Sequence, residues 1–364
     1  MTLLLPAVIH GCSGPVRPLE PGIGQPVSWE RLDGWHSDNH AESWPALLAG
    51  CAVLADVDRW QSICRDAGRI RAPTDARARA FFEARFRAHP VIGDDGEPEG
   101  LITGYYEPLL QGSFEPDERF KYPLHAPPEN LLVIDPGDAH PELSDLQLRG
   151  RLQGRTVVPY PTRAGLTASP DALPGSELLW VDDAVDAFFL HVQGSGRVAL
   201  PDGQTVAVRY ADHNGHPYQS IGRELVRSGE MTLENVNLFT IRRWLRAHPG
   251  EARALFNHNP RYIFFRLDTG SSENPRGALN VPLTPGRSLA VDRDKLPLGA
   301  PVWLATSMPG ESGAPLNRLL MAQDTGSAIR GWNRADVFWG SGREAERKAG
   351  LMKEPGRLFV LLPK

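Results

Sequence analysis

Apolar residues change their spacing several times along the chain, and each change marks a different kind of element. Between residues 43 and 90 they recur at helical intervals. Ser43 can cap a helix that is entered through Pro45, and Phe81, Phe82 and Phe86 give an apolar face to a second helical stretch starting near Thr74. Residues 13–42, rich in Pro and Gly, predict an extended arm ahead of these helices. From residue 101 the period shortens. Residues 101–110 (LITGYYEPLL) read as a strand with a Gly–aromatic centre, and 130–134 and 155–160 as strands in turn-rich surroundings. Ala187–Val192, Arg197–Leu200 and Gln204–Tyr210 read as a β block, with Pro201-Asp202-Gly203 as the hairpin turn between the last two. Residues 216–257 return to helices. There Leu238, Ile241 and Leu245 fall at i, i+3 and i+7, and Pro249-Gly250 stops the run. The tail is β again at 261–266, 287–291, 301–305, 318–323 and 357–362, with a short helix over Arg343–Gly350.

At 364 residues the chain has room for two domains, taking ~150 residues for each. Its 36 glycines and 33 prolines demand many turns, which favours a strand-rich fold over a helical bundle. A net charge of −5 argues against a dedicated nucleic-acid binder. No apolar run approaches the ~18–20 residues of a membrane span. The cysteines divide into one and two. Ile9-His10-Gly11-Cys12 has the aliphatic–x–small–Cys order of a bacterial lipoprotein cleavage box, which makes Cys12 a candidate for lipid attachment. His10 is unusual there and the preceding stretch lacks Lys and Arg, so a frayed terminus is the alternative. Cys51 and Cys64 would stand ~20 Å apart in one straight helix, too far for a disulfide. A bond between them requires a helical hairpin turning near Asp56–Asp58, and two buried thiols are the alternative.

Candidate chemistry concentrates near the C-terminus. Asp324-Thr325-Gly326-Ser327 directly follows a strand, and Asp336 precedes Val337-Phe338-Trp339-Gly340. Glycines beside both carboxylates let a ligand approach closely. Trp332, Phe338 and Trp339 offer faces suited to sugar rings, and an apolar setting raises a carboxyl group toward general-acid duty. Other motifs lead elsewhere. Gly194-Ser195-Gly196-Arg197-Val198-Ala199 is spelled like a dinucleotide loop, but the hairpin at Pro201 replaces the helix such a loop opens. Gln193 and Ser195 remain polar groups at a strand end. A second Asp-Thr-Gly-Ser at 268–271 lies too close to the first for a two-lobed protease. No G-x-S-x-G, H-E-x-x-H or C-x-x-C is present, and His213 and His216 flank a turn dipeptide, so no metal is expected.

Thr103–Pro108, Val192–Gly196, Asn214–Gly222, Asn259–Phe265, Gly286–Pro301, Gln323–Gly342 and Gly356–Val360 form an ordered set of blocks. Over about residues 40–364 they resemble the membrane-bound lytic transglycosylase A family, MltA. The resemblance implies a mainly β fold with helices. A double-psi β-barrel domain would comprise 43–108 and 268–364, with a second β-rich domain inserted at 109–267. A deep groove would separate the two, and 1–42 would be leader and arm. The implied activity is cleavage of the β-1,4 bond between N-acetylmuramic acid and N-acetylglucosamine in peptidoglycan, leaving a 1,6-anhydromuramic end. Asp336 would act as acid and then base, with Asp324 as the supporting carboxylate and Thr103, Tyr105, Gln193 and Ser195 as substrate-binding positions. No cofactor is implied. The implied partners are glycan strands and other cell-wall enzymes, with no nucleic acid, and with the membrane engaged only through a lipid on Cys12 at the periplasmic face of an outer membrane. Two alternatives stay open from the sequence. One is a hydrolytic glycosidase using Asp324 and Asp336 as base and acid, and the other is a non-catalytic glycan-binding protein.

Overall fold

The computed structural model describes residues 19–143, 147–169, 172–268, 274–310 and 313–364; Cys12 and residues 269–271 lie outside them. After β1 (Gly22–Ile23) and three 3-10 turns come α1 (Trp44–Leu54), α2 (Asp58–Gly68) and α3 (Asp75–Arg85). Next are β2 (Phe86–Ile92), β3 (Glu99–Glu107), β4 (Leu109–Ser113), β5 (Tyr122–His125), β6 (Leu132–Ile134), β7 (Leu148–Gln153) and β8 (Thr156–Pro159). The middle of the chain holds α4 (Arg163–Leu166), β9 (Glu177–Val181), α5 (Ala184–Gln193), β10 (Ser195–Ala199), β11 (Thr205–His213), α6 (Ile221–Arg227), α7 (Leu238–Ala247) and α8 (Pro249–His258). The last part holds β12 (Ile263–Asp268), β13 (Ser288–Val291), β14 (Pro301–Ser307), β15 (Pro315–Asp324), β16 (Ala335–Ser341), α9 (Gly342–Leu351) and β17 (Lys353–Pro363).

Three local expectations are corrected. Ala187–Val192 is not a strand but the body of α5. Asp183 caps this helix by accepting from Val185 N and Asp186 N, Val185, Phe188 and Phe189 bury one face, and Gly194 ends it at φ +80°. A short apolar run is equally compatible with a buried strand or helix, and the cap decides. The helical stretch read to residue 90 stops at Arg85, because Phe86 turns extended and starts β2. Within the described part, the arm before residue 43 is wound into 3-10 turns rather than extended. Trp29 stacks on Trp35, which packs edge-on against Trp303, so these turns are held by aromatic burial.

The strands form an eight-stranded sheet, β1-β2-β17-β14-β15-β13-β16-β3, and a six-stranded sheet, β12-β11-β10-β4-β9-β5. A third, of β6, β7 and β8, is smaller. Within the larger sheet β17 pairs with β14 and β2 and also, through Lys353–Arg357, with β3. Between β3 and β4 stands the single residue Pro108, so one run of chain passes directly from one sheet into the other. Glu107, 1% exposed at that crossing, is ion-paired with Arg197 of β10 at 3.0 Å and with Arg209 of β11. Two charged donors per buried carboxylate offset its desolvation. A cavity of about 380 Å³ lies beside this crossing, lined by Glu107, Pro108, Leu109 and Arg197 with Asn274, Ser341 and Gly342. With α1 packed on β15, where Gln323 Nε2 donates to Ala46 O at 2.8 Å, α1 and α2 form a hairpin joined by a Cys51–Cys64 disulfide with Cα atoms 5.2 Å apart.

Candidate active site

Strands β3 and β16 run parallel, and their register sets Asp336 opposite Thr103 and Phe338 opposite Tyr105. On the other side of β16, Ala290 of β13 is paired with both Asp336 and Asp324. The two aspartates are thus two strand spacings apart, about 10 Å between backbones, with only a methyl group between them.

Their surroundings differ. Thr103 Oγ1 donates to Asp336 Oδ1, and Arg334 donates to the same oxygen through Nη1. Arg334 Nη2 also donates to Thr103 Oγ1 at 2.8 Å, closing a three-membered arrangement around one carboxylate oxygen. Oδ2 of Asp336 accepts no hydrogen bond among the described residues, and the side chain is 17% exposed. Asp324 ends β15 and is held on both oxygens. Oδ1 accepts from the N–H groups of Ala278 and Thr325, each at 2.9 Å, and Oδ2 accepts from the Tyr105 hydroxyl at 2.8 Å. Burial pushes the Asp324 carboxyl up to about 6 against the pull of those three donors, and the charge of Asp336 adds to the rise. Tyr105 is itself raised well above its ordinary value, by burial first and then by Asp324, so it remains a neutral donor.

The second unit reaches the same place. Gln193, the last residue of α5, accepts from the N–H of Tyr106 at 3.2 Å, next to Tyr105. The phenol of Tyr218 is raised by burial, and the charge of Asp336 contributes to the rise. The structure therefore brings together Thr103, Tyr105, Asp324 and Asp336 and sets Gln193 against them through the backbone. Ser195 opens β10, two residues beyond Gln193, and is half-buried. Two residues that act on Asp336 were not singled out in the sequence, Arg334 and Tyr218. Arg334 was legible in principle, since positions i and i+2 share a face of extended chain. The aromatic residues read as sugar platforms are largely committed to the fold. Phe338 is 1% and Trp339 9% exposed, and the Lys295 ammonium lies over Trp332 at 5.2 Å from its ring centre. Among the described residues, no three His, Cys, Asp or Glu side chains converge as a metal site.

With this geometry, the chain matches known families along most of its length. Residues 101–266 match the MltA specific insert domain and residues 287–362 the 3D domain. It is 33% identical over 299 residues to the membrane-bound lytic murein transglycosylase A of Escherichia coli, covering 80% of this chain and 73% of that protein. The crystal structure of a membrane-bound lytic murein transglycosylase from Agrobacterium tumefaciens superposes with a TM-score of 0.83 at 33% identity, over 94% of this chain and 98% of that one. The E. coli MltA structure with bound chitohexaose superposes with a TM-score of 0.67 at 26% identity, covering 89% and 90%. On these matches the chain belongs to the membrane-bound lytic murein transglycosylase A (MltA) family.

Proposed function

We propose that the protein is a lytic transglycosylase that cuts the bond between N-acetylmuramic acid and N-acetylglucosamine in peptidoglycan, with Asp336 as the sole proton-transfer group. The observation that carries this reading is the free Oδ2 of Asp336, set against an Asp324 whose two oxygens are both engaged. Protonated Asp336 gives its proton from Oδ2 to the glycosidic oxygen as the C1–O bond breaks and its electron pair leaves with that oxygen. The resulting carboxylate then takes the proton of the C6 hydroxyl, whose oxygen closes on C1. The product is a 1,6-anhydro end, Asp336 regains its proton and no water is consumed. Two separate carboxylates are needed when water is the nucleophile. Here the nucleophile belongs to the same sugar ring, where effective concentrations are very high. Thr103 and Arg334 fix the Oδ1 edge, and Tyr105 and Asp324 shape the neighbouring wall.

Mass analysis of released muropeptides tests this function. Anhydro products, one water lighter than hydrolytic ones, are expected; a hydrated series instead makes the protein a hydrolase. A second reading exchanges the roles of the aspartates, and the raised proton affinity of Asp324 favours it. It predicts that Asp324→Asn loses more activity than Asp336→Asn.

Three further readings accompany this function. The ring of pairings from β3 through β16, β13, β15, β14 and β17 back to β3 supports a double-psi β-barrel formed by 43–108 and 268–364. The crossing at Pro108 supports an insertion over 109–267, with 1–42 as leader and arm and a groove along the seam. No helix among the described residues is long and apolar enough to cross a membrane. The sequence Ile9–Cys12 and the words "membrane-bound" in the relatives' names support attachment through a lipid on Cys12 at the periplasmic face of the outer membrane. Fatty-acid label that enters the protein and is lost in Cys12→Ser tests it.

A further inference from the structure

Arg242 of α7 ties both units to β3, the strand that carries Thr103 and Tyr105. It donates from Nη1 to Glu346 Oε1 of α9 at 2.5 Å and from Nη2 to the Tyr106 hydroxyl of β3 at 3.3 Å. The same Nη2 stands 3.1 Å from Asp186 Oδ1 of α5. Tyr106, 4% exposed, donates its own hydroxyl to Glu346 Oε1 at 3.0 Å. The Arg242 side chain is 14% exposed, and its guanidinium lies over the Phe189 ring at 5.1 Å from the centre. The helices around this pair are closely seated. A Cβ added at Gly350 of α9 would meet Phe239 Cε2 of α7 at 2.8 Å and Leu238 Cδ2 at 3.1 Å.

On α5 the contacts follow the helical repeat. Asp186, Phe189 and Gln193 fall at i, i+3 and i+7, one stripe of the helix. Arg242 holds the first two, and the last accepts from Tyr106 N at 3.2 Å. Tyr106 is the common footing: its hydroxyl reaches Arg242 and its N–H holds Gln193. That backbone donor also fixes the orientation of the Gln193 amide, since only Oε1 can accept from it. Nε2 makes no hydrogen bond among the described residues, so it is the end left for an acceptor on a bound glycan. Releasing α5 at Asp186 frees this amide to shift against Tyr105, whose hydroxyl is bonded to Asp324.

We propose that Arg242 is a positioning residue for glycan binding: through Asp186 and Tyr106 it sets α5 against β3 and so aims Gln193 Nε2 at the bound strand. The inference rests on the peptidoglycan reading above. Arg242 bonds to neither aspartate of the site, so its effect passes through Gln193. A planar guanidinium suits this task, because its rigid fork reaches several acceptors at fixed angles where an ammonium reaches as a point charge.

A double-mutant cycle on KM, measured with a soluble glycan hexamer prepared from peptidoglycan, separates this role from a structural one. Gln193→Ala is expected to raise KM about tenfold, the worth of one hydrogen bond. Asp186→Asn is a mild replacement, because burial already raises that carboxyl toward its neutral form. It and the charge-balanced pair Arg242→Gln with Glu346→Gln should each raise KM about three- to tenfold, with a smaller fall in kcat. Arg242→Lys keeps the charge without the fork and should recover part of the loss. In a Gln193→Ala background the paired replacement should add less than about a twofold further rise. An undiminished further rise there, a KM unchanged by Gln193→Ala, or a loss of kcat and melting temperature at constant KM overturns the proposal. If the unmodified enzyme neither releases anhydro products nor binds chitohexaose, the peptidoglycan reading falls instead. Melting temperature is the folding control for every variant. Asp186→Asn, which leaves Arg242 bonded to Glu346, decides the matter if the paired variant does not fold.

Discussion

Burial shifts an acid of one sheet unit and two histidines of the other in opposite directions. In the eight-stranded unit burial raises an acid, so Asp324 holds its proton up to about 6. In the six-stranded unit burial lowers bases. His125 falls to about 4 and His191 well below its usual value, the latter among Arg163, Tyr262 and Phe265. The cause is the same in both, since a medium of low polarity disfavours whichever form is charged. What differs is use. Asp324 lies one strand beyond Ala290 from Asp336, the proposed proton-transfer group. His191 instead accepts from Ile263 N at 3.2 Å and braces α5 against β12. Perturbation alone does not mark a catalytic group; the neighbours decide.

The largest expected effect separates chemistry from scaffold. Asp336→Asn should lower lytic activity by at least about 10²–10⁴-fold, the usual worth of general acid–base catalysis, with an unchanged melting temperature. Asp324→Asn should lose less if, as proposed, Asp324 only supports its neighbour. Sacculus lysis by the two variants checks this, and a reversed order assigns the proton to Asp324.

Acidification sharpens the contrast within one molecule. A buried histidine with a depressed pKa contributes stability that is complete above about 6.5 and is lost as the pH falls toward 4. His125 alone should cost the six-stranded unit roughly 3 kcal/mol over that window. Asp324 has the opposite sign: its contribution is present at low pH and lost as the pH rises through about 6. Hydrogen exchange followed from pH 7 to pH 4 should therefore show β9, β11 and β12 losing protection before β13, β15 and β16. Earlier opening of the eight-stranded unit would contradict the assignment.

The disulfide offers a perturbation confined to one unit. Replacing Cys51 and Cys64 by Ser releases a loop of 13 residues' separation, which should lower stability by about 2–3 kcal/mol. The hairpin packs on β15, where Gln323 Nε2 donates to Ala46 O at 2.8 Å beside Asp324, but neither cysteine is among the donors to Asp324 or Asp336, so lysis below the melting temperature should hold. Lost activity in a folded variant would tie the hairpin to the site. The smallest change expected is in Thr103→Val, which removes one donor to Asp336 Oδ1 while Arg334 remains. About a tenfold fall in kcat with little change in KM should result, read from steady-state lysis.

Sequence reading reached unevenly into this architecture. The hairpin turn at Pro201-Asp202-Gly203 and the helix near Arg343 were legible because turn residues and period agree there, whereas the one strand expected at 101–110 is two, β3 and β4, broken at Pro108 and belonging to different sheets. The segment Ala187–Val192 was misread because its apolar run outweighed the cap at Asp183. The aspartate pair, with Thr103 and Tyr105, was legible through motif and resemblance. What resisted was arrangement: a spacing of twelve residues says nothing of Ala290 standing between the two, since the bridging strand lies more than thirty residues upstream of Asp324.

The crossing at Pro108 has a mechanical meaning. One prolyl residue, stiff about φ, separates a strand of one sheet from a strand of the other, and buried Glu107 pins the adjoining backbone to Arg197 and Arg209. Such a short tether forbids sliding of the two strands past each other at that point. The Arg242–Glu346 pair at 2.5 Å and the bond from Lys353 Nζ to Leu233 O at 2.7 Å fasten the same two units again, so the seam is riveted at more than one place rather than hung on a single hinge.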